Sequence, residues 1–224
     1  MTHDRVLVVM AKAPRPGRVK TRLATTYPAD ATVALYQCLL ADTLALGLTL
    51  TDTTVAVMAP PDDVDALEPL MPSGVACVAQ EGVGLAAALA SVFTVFTRDR
   101  ARRVVAFNCD SPHLPARFLD AAFDALATHD VVAGPTDDGG YYLVGARASH
   151  PGLFDAAPMG TGGALASLLH NANSRGLTSR LTDAWFDVDV AADLVRLAEL
   201  LRRDPSAAPR TAACLQSWVA GDGP

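Results

Sequence analysis

Cysteine is sparse in this chain. Cys38, Cys77, Cys109 and Cys214 are far apart and form no C-x-x-C pair, which excludes a zinc ribbon and a disulfide framework. Each lies in an apolar stretch, which predicts a buried, reduced thiol. Aromatic residues are only 6% of the chain, so its core must be built mainly from Ala, Val and Leu. No apolar run crosses a bilayer's thickness without interruption, and no apolar leader precedes the first strand, so a cytoplasmic protein with no membrane partner is expected. Positive charge is in the minority: 18 Lys and Arg face 24 Asp and Glu, a net charge of -6. An acidic pI of about 5.2 excludes a general DNA or RNA binder, which carries a broad basic footprint. Repeats and low-complexity linkers are lacking as well, so residues 1–224 are expected to form one domain.

Half of the residues are hydrophobic, enough to cover both faces of a central sheet. Short apolar runs predict strands at 5–10, 53–58, 75–79, 103–108, 130–133 and 141–145, with a weaker one at 178–182. Helical patterns fall between them, at about 29–47, 62–70, 84–97, 115–127, 162–174 and 191–202, with a closing helix within 207–220. This alternation predicts an α/β fold around a mostly parallel sheet.

The most informative stretch follows the first strand. Lys12, Arg15, Arg18, Lys20 and Arg22 crowd into one loop, with Pro14, Pro16 and Gly17 shaping its backbone. Such a density of cations on a strand-to-helix turn suits a polyanion, since side-chain charge adds to free N–H groups at a helix start. A solvated basic loop or a nucleic-acid contact is the plainer alternative.

Acidic positions come later. Asn108-Cys-Asp-Ser-Pro-His-Leu-Pro115 directly follows a strand, where ligands of open α/β sheets bind. Asp110 is there a candidate for holding Mg²⁺ or Mn²⁺ against a diphosphate; the competing role for Asp110 or Ser111 is to cap the helix near Pro115. His113, a lone histidine between prolines, is left out of the metal shell as a surface or hydrogen-bonded residue. In Gly134-Pro-Thr-Asp-Asp-Gly-Gly-Tyr-Tyr-Leu-Val-Gly145, Asp138, Gly139 and Gly140 read either as a tight turn or as a close approach to a ligand, with Tyr141 and Tyr142 at its rim. Asp187 and Asp189 share a face if their segment is extended; Asp189 is a helix cap or turn residue, or a second carboxylate near the metal. Met159-Gly-Thr-Gly-Gly163 is a flexible turn or an acceptor-site lid.

These motifs, in this order from about residue 5 to 200, resemble the DUF2064 family of glycosyltransferase-A-like proteins. They are more distantly similar to 2-phospholactate guanylyltransferases. The resemblance implies a Rossmann-like three-layer α/β/α sandwich of the nucleotide-diphospho-sugar transferase type. It implies that the basic loop grips nucleotide phosphates, with Gly17 shaping it, that Asp110 and Asp189 are the metal-binding acids, and that Asp138-Gly-Gly-Tyr141 lines the acceptor side. Two segments depart from the family pattern. Gln80-Glu-Gly-Val-Gly-Leu-Ala-Ala-Ala88 stands where a Leu-Gly-Glu-Arg segment is usual, and the region around Pro158-Met-Gly160 lacks an expected Trp. Altered specificity or lost activity is left open by both.

Three functions remain: a nucleotidyltransferase joining a nucleoside triphosphate to a small anionic acceptor with release of pyrophosphate, a glycosyltransferase using a nucleotide-sugar, and an inactive nucleotide-binding protein. Five clustered cations suit a triphosphate and its leaving group, and only one acid stands in Asn108-Cys109-Asp110, so nucleotidyl transfer is favoured. Lys20, Arg22 and Asp110 are its expected catalytic residues. Base, acceptor and assembly, a homo-oligomer included, are not legible.

Overall fold

The computed structural model describes residues 3–98, 102–155 and 162–220. Seven strands form one sheet: β1 (Arg5–Met10), β2 (Thr53–Ala59), β3 (Ala76–Ala79), β4 (Arg103–Asn108), β5 (Val131–Pro135), β6 (Tyr141–Ala146) and β7 (Ser179–Leu181). Their order is β3-β2-β1-β4-β6-β5-β7. Only β6 runs antiparallel to its neighbours, because a short turn over 136–140 joins it to β5 as a hairpin.

Strand alternation divides the core. Val6, Val8, Val104 and Ala106 face α3 (Leu85–Phe96) and α5 (Ala164–Ser174). Leu7, Val105 and Phe107 face α4 (Ala116–Ala125), while Val9, Val55 and Val57 face α1 (Ala29–Leu48). Such strands are covered on both sides, which is why they read as continuous β-branched runs. The result is the expected three-layer α/β/α sandwich.

Helix α1 is apolar around more than one side, and the packing explains it. Tyr36, Leu40 and Leu44 meet the sheet, whereas Leu35 and Leu39 meet α6 (Ala191–Arg203) and α7 (Pro209–Ala220). By length and composition α1 passes for a membrane span, but over half of it is buried inside the protein.

Some expectations need correction. The helix expected over 62–70 is a single α turn, α2 (Val64–Leu67), flanked by 3-10 turns at Pro61–Asp63 and Glu68–Leu70. Pro69 lacks the donor that a longer helix would need. The closing helix falls where expected, at Pro209–Ala220, after a 3-10 turn at Pro205–Ala207 held by Asp204. Of the four thiols only Cys109 is buried; Cys38, Cys77 and Cys214 are half-buried.

β1 leads outward through β2 to β3, and the chain then restarts beside β1 with β4. That reversal opens a crevice beyond the carboxyl ends of β1 and β4. Met10 and Asn108 are paired in register, so Lys12 and Asp110, each two residues further on, leave the sheet at the same level.

Candidate functional site

The crevice is a cleft of about 700 Å³. On one side lies the basic loop, which small apolar residues root in the core: Ala13, Val19 and Leu23 are all buried. Its start is clamped by Tyr36, whose hydroxyl accepts from Lys12 N at 2.9 Å and donates to Lys12 O at 3.1 Å. Burial, with Cys109 beside it, pushes the Tyr36 hydroxyl pKa far up, so it stays protonated. Sequence reasoning passed over Tyr36, since an aromatic on an apolar helix looks like ordinary core.

The loop does not open a helix, as the sequence had suggested. A 3-10 turn (Leu23–Thr25) follows it, and α1 starts only at Ala29 behind Pro28. The helix start that faces the cleft belongs to α3. Gly84 is its N-cap, without a side-chain cap, and Gln80, Gly82, Val83 and Leu85 line the wall there.

The five cations take three different places. Lys12, Arg18 and Arg22 line the cleft. Arg15 turns away from it, with Nη1 3.4 Å from the buried Asp63 and Nη2 donating to Asp62 O at 3.4 Å, and it ties the loop to the end of β2. Lys20 points inward; its side chain is 3% exposed, with Nζ 2.5 Å from Asp110 Oδ1 and 3.7 Å from Asp189 Oδ1. Burial works against its charge, but Asp110, Cys109 and Asp189 prevail and its pKa is raised. Gly17, with φ of +73°, serves the turn and does not line the cleft.

Asp110 and Asp189 meet because the segment 185–189 runs back across the strand ends. Trp185 N donates to Pro135 O at 3.0 Å, Val188 N to Asp110 O at 3.1 Å, and Ser111 Oγ to Phe186 O at 3.1 Å. Neither acid is a helix cap. Pro115 is the N-cap of α4 without any side-chain bond. At α6, Asp193 does that work, accepting from Asp189 N at 3.0 Å and Val190 N at 2.8 Å.

Asp187 is pushed up to about 6 by burial and by Asp189 and Asp110. Burial raises Asp189 too, against the pull of Lys20 and Arg22. With Arg22, Asp138 and Arg196, these two acids line a smaller adjoining pocket of about 190 Å³.

The turn over 136–140 is mostly self-serving. Asp138 Oδ1 accepts from Thr136 Oγ1 at 2.5 Å and from Gly140 N at 3.0 Å, and the Thr136 bond leads in lowering its pKa. Gly139 has φ of +83°, and a Cβ there would run into the Gly162 carbonyl, so it is glycine for the turn's sake. Asp138 borders the smaller pocket, but Tyr141 lines neither and instead packs against the α3/α5 side of the sheet. Tyr142 is a core residue; its hydroxyl, pushed up to about 12 by burial, donates to Asp183 O at 2.9 Å. His113 is buried, not on the surface, with both ring nitrogens lacking a hydrogen bond. The 158–160 departure and most of the 159–163 segment lie outside the described residues.

No cluster of three or more metal-ligating side chains occurs among the described residues. A hard dication does not need one, because Mg²⁺ is commonly held by one or two carboxylates with phosphate and water oxygens completing its shell. The Lys20 ammonium tests the fit: Asp110 and Asp189 already converge on a single positive centre, as they would on Mg²⁺ or Mn²⁺.

Comparison with known proteins bears on the fold and the family. The crystal structure of a protein of Desulfovibrio desulfuricans G20, provisionally described as a nucleotide-diphospho-sugar transferase, matches with a TM-score of 0.86 at 28% identity, over 97% of this chain and 96% of that one. The 4-diphosphocytidyl-2C-methyl-D-erythritol synthase of Anaerococcus prevotii DSM 20548 shares the fold alone, with a TM-score of 0.61 at 10% identity over 89% and 97%. So does Rv0371c of Mycobacterium tuberculosis H37Rv, crystallised in complex with manganese, with a TM-score of 0.52 at 21% identity over 89% and 100%. Among curated proteins none is significantly similar in sequence. The model of a family described as uncharacterized proteins conserved in bacteria, DUF2064, matches residues 43–161. That span holds Asp110 and the 136–140 turn, while the basic loop and Asp189 lie outside it. With more than half of its residues matched, the chain belongs to the DUF2064 family.

Proposed function

We propose that this protein is a nucleotide-dependent transferase, and that it joins a nucleoside triphosphate to a small acceptor with release of pyrophosphate. The observation that carries the reading is the cleft itself, where Lys12, Arg18 and Arg22 border one side and Asp110 and Asp189 converge on a cation at the end. Its volume of about 700 Å³ is in the range of pockets that enclose small ligands. Asp110 and Asp189 would hold Mg²⁺ or Mn²⁺, which when bound supplies charge stabilisation at a phosphate oxygen. Lys12, Arg18 and Arg22 would neutralise the charge that builds on a departing pyrophosphate. The start of α3 adds backbone N–H groups on the opposite wall. Catalysis would be positioning and electrostatics, with no covalent intermediate on the protein.

Glycosyl transfer is the second reading, and one observation favours it. The pocket beyond Asp189 is rich in carboxylates, Asp187 among them. Such a wall suits a hydroxyl-bearing acceptor better than the anionic one first expected, and the Desulfovibrio relative is described in terms of nucleotide-sugars.

Two assays separate the readings. Under the first, Mg²⁺-dependent pyrophosphate release from a nucleoside triphosphate is expected, and Arg18→Ala with Arg22→Ala should weaken triphosphate binding by about 2–4 kcal/mol, two charge-assisted contacts of roughly 1.5–3 kcal/mol each less solvent screening. Slow hydrolysis of a nucleotide-sugar, with no pyrophosphate from any triphosphate, would reverse the order. Unchanged triphosphate affinity in the double variant, measured by calorimetry on folded protein, removes the phosphate-gripping role of the loop.

A further inference from the structure

Lys20 is held more tightly than any other member of the basic loop. Its Nζ donates to Val188 O at 2.6 Å as well as pairing with Asp110 and Asp189. Its backbone stands at φ of +47°, a left-handed conformation that side-chain-bearing residues rarely adopt. Val19 and Leu23 are buried on either side of it. The loop is thus built to deliver one ammonium to the point where the two carboxylates converge.

We infer that Lys20 is a built-in place-holder for the divalent cation: ammonium and dication compete for Asp110 and Asp189, and the cation gains the site only when nucleotide phosphates give Lys20 another partner. The inference rests on the metal reading of these two acids and adds an order of binding to it. Two carboxylates carry two negative charges; the buried ammonium cancels one of them, and the exposed Arg22, 3.7 Å from Asp189 Oδ2, partly screens the other. A dication held by the same carboxylates would stand beside Nζ and set like charges side by side. Lys20 itself borders the cleft, beside Arg18 and Arg22, so phosphate oxygens there lie within the reach of a lysine side chain. Free metal should therefore bind weakly, and a metal–nucleotide complex should bind as a unit.

The test is Mn²⁺ binding to the full chain without nucleotide, followed by electron paramagnetic resonance of the free ion. Lys20→Met should bind Mn²⁺ at least ~10-fold more tightly than the wild type, on the scale of removing one adjacent like charge. Lys20→Gly, which accepts the left-handed backbone without strain, should do the same and covers the case in which the Met variant fails to fold. Lys20→Arg keeps the charge and should stay as weak as the wild type. Adding Asp110→Asn to Lys20→Gly should abolish the gain, which places the ion at these carboxylates. Mn²⁺ affinity equal to the wild type in both charge-removing variants overturns the inference. If that binding still falls with Asp110→Asn, the metal reading survives alone; if no form binds Mn²⁺, both fall together.

Discussion

At the scale of single residues, burial decides what a titratable group does. His113 sits between Trp185 and Phe186, with ring centroids 5.5 and 4.3 Å away. Its pKa is pushed down to about 3, by burial first and then by Arg196. An unfolded histidine titrates near ~6.5. Between these values the unfolded chain takes up a proton that the folded protein refuses. Stability from this group is therefore complete above about pH 6.5 and is lost as pH falls toward 3, by up to about 1.4 kcal/mol per pH unit. Urea unfolding at pH 7 and pH 5 should show a steeper loss for the wild type than for His113→Leu, by about 1–2 kcal/mol. Parallel losses in the two proteins would mean that His113 takes up its proton equally in the folded and unfolded chains. A histidine flanked by prolines reads as a surface residue in one dimension; its aromatic neighbours come from a segment more than seventy positions away.

At the scale of elements, the closing helix α7 depends on a residue in the middle of α1. Asp42 is buried and accepts from Thr211 N at 2.8 Å, Thr211 Oγ1 at 2.9 Å and Arg210 N at 3.2 Å. It caps the N-terminus of α7 from another helix, satisfying donors that no residue of α7 itself reaches. Asp42→Ala should cost about 2–3 kcal/mol, since it leaves buried N–H groups without a partner. Hydrogen exchange should then quicken in α7 well before it quickens in β1 or β4. Uniform exchange across the chain would mean that α7 and the sheet unfold as one unit. An Asp deep in an apolar helix looks like an interruption from the sequence, and the partner that explains it is 168 positions on.

At the scale of the whole molecule, charge is unevenly placed. A protein of net charge -6 keeps a cluster of cations along one cleft, a contrast that suits a small polyanion better than a long one. A ligand that binds only the folded state stabilises it by mass action, by about 2.7 kcal/mol at 100-fold above its Kd. For a chain of this size that should raise Tm by roughly 5–10 °C. A thermal-shift series of nucleoside triphosphates and nucleotide-sugars, with and without Mg²⁺, should therefore rank the ligand classes directly. No shift with any of them would count against all three functions, since each requires a nucleotide to bind the folded protein.

Local pattern was enough for the strands and most helices, because hydrophobic period and breakers such as Pro and Gly act over a few neighbours. It also placed Asp110 at the end of β4 and put five cations in one loop. What it could not reach was where those cations point. Arg15 turns out to Asp63 and Lys20 turns in to Asp110 and Asp189, although both carry the same charge in the same loop. Those partners lie 48, 90 and 169 positions away along the chain, by the residue numbers of these ion pairs. Only the crossing of strands at the β1–β4 reversal, and the return of 185–189 over their ends, brings them within reach. Composition and spacing determined that five cations share one loop after β1; tertiary packing decided which of them face the cleft and which are held by carboxylates.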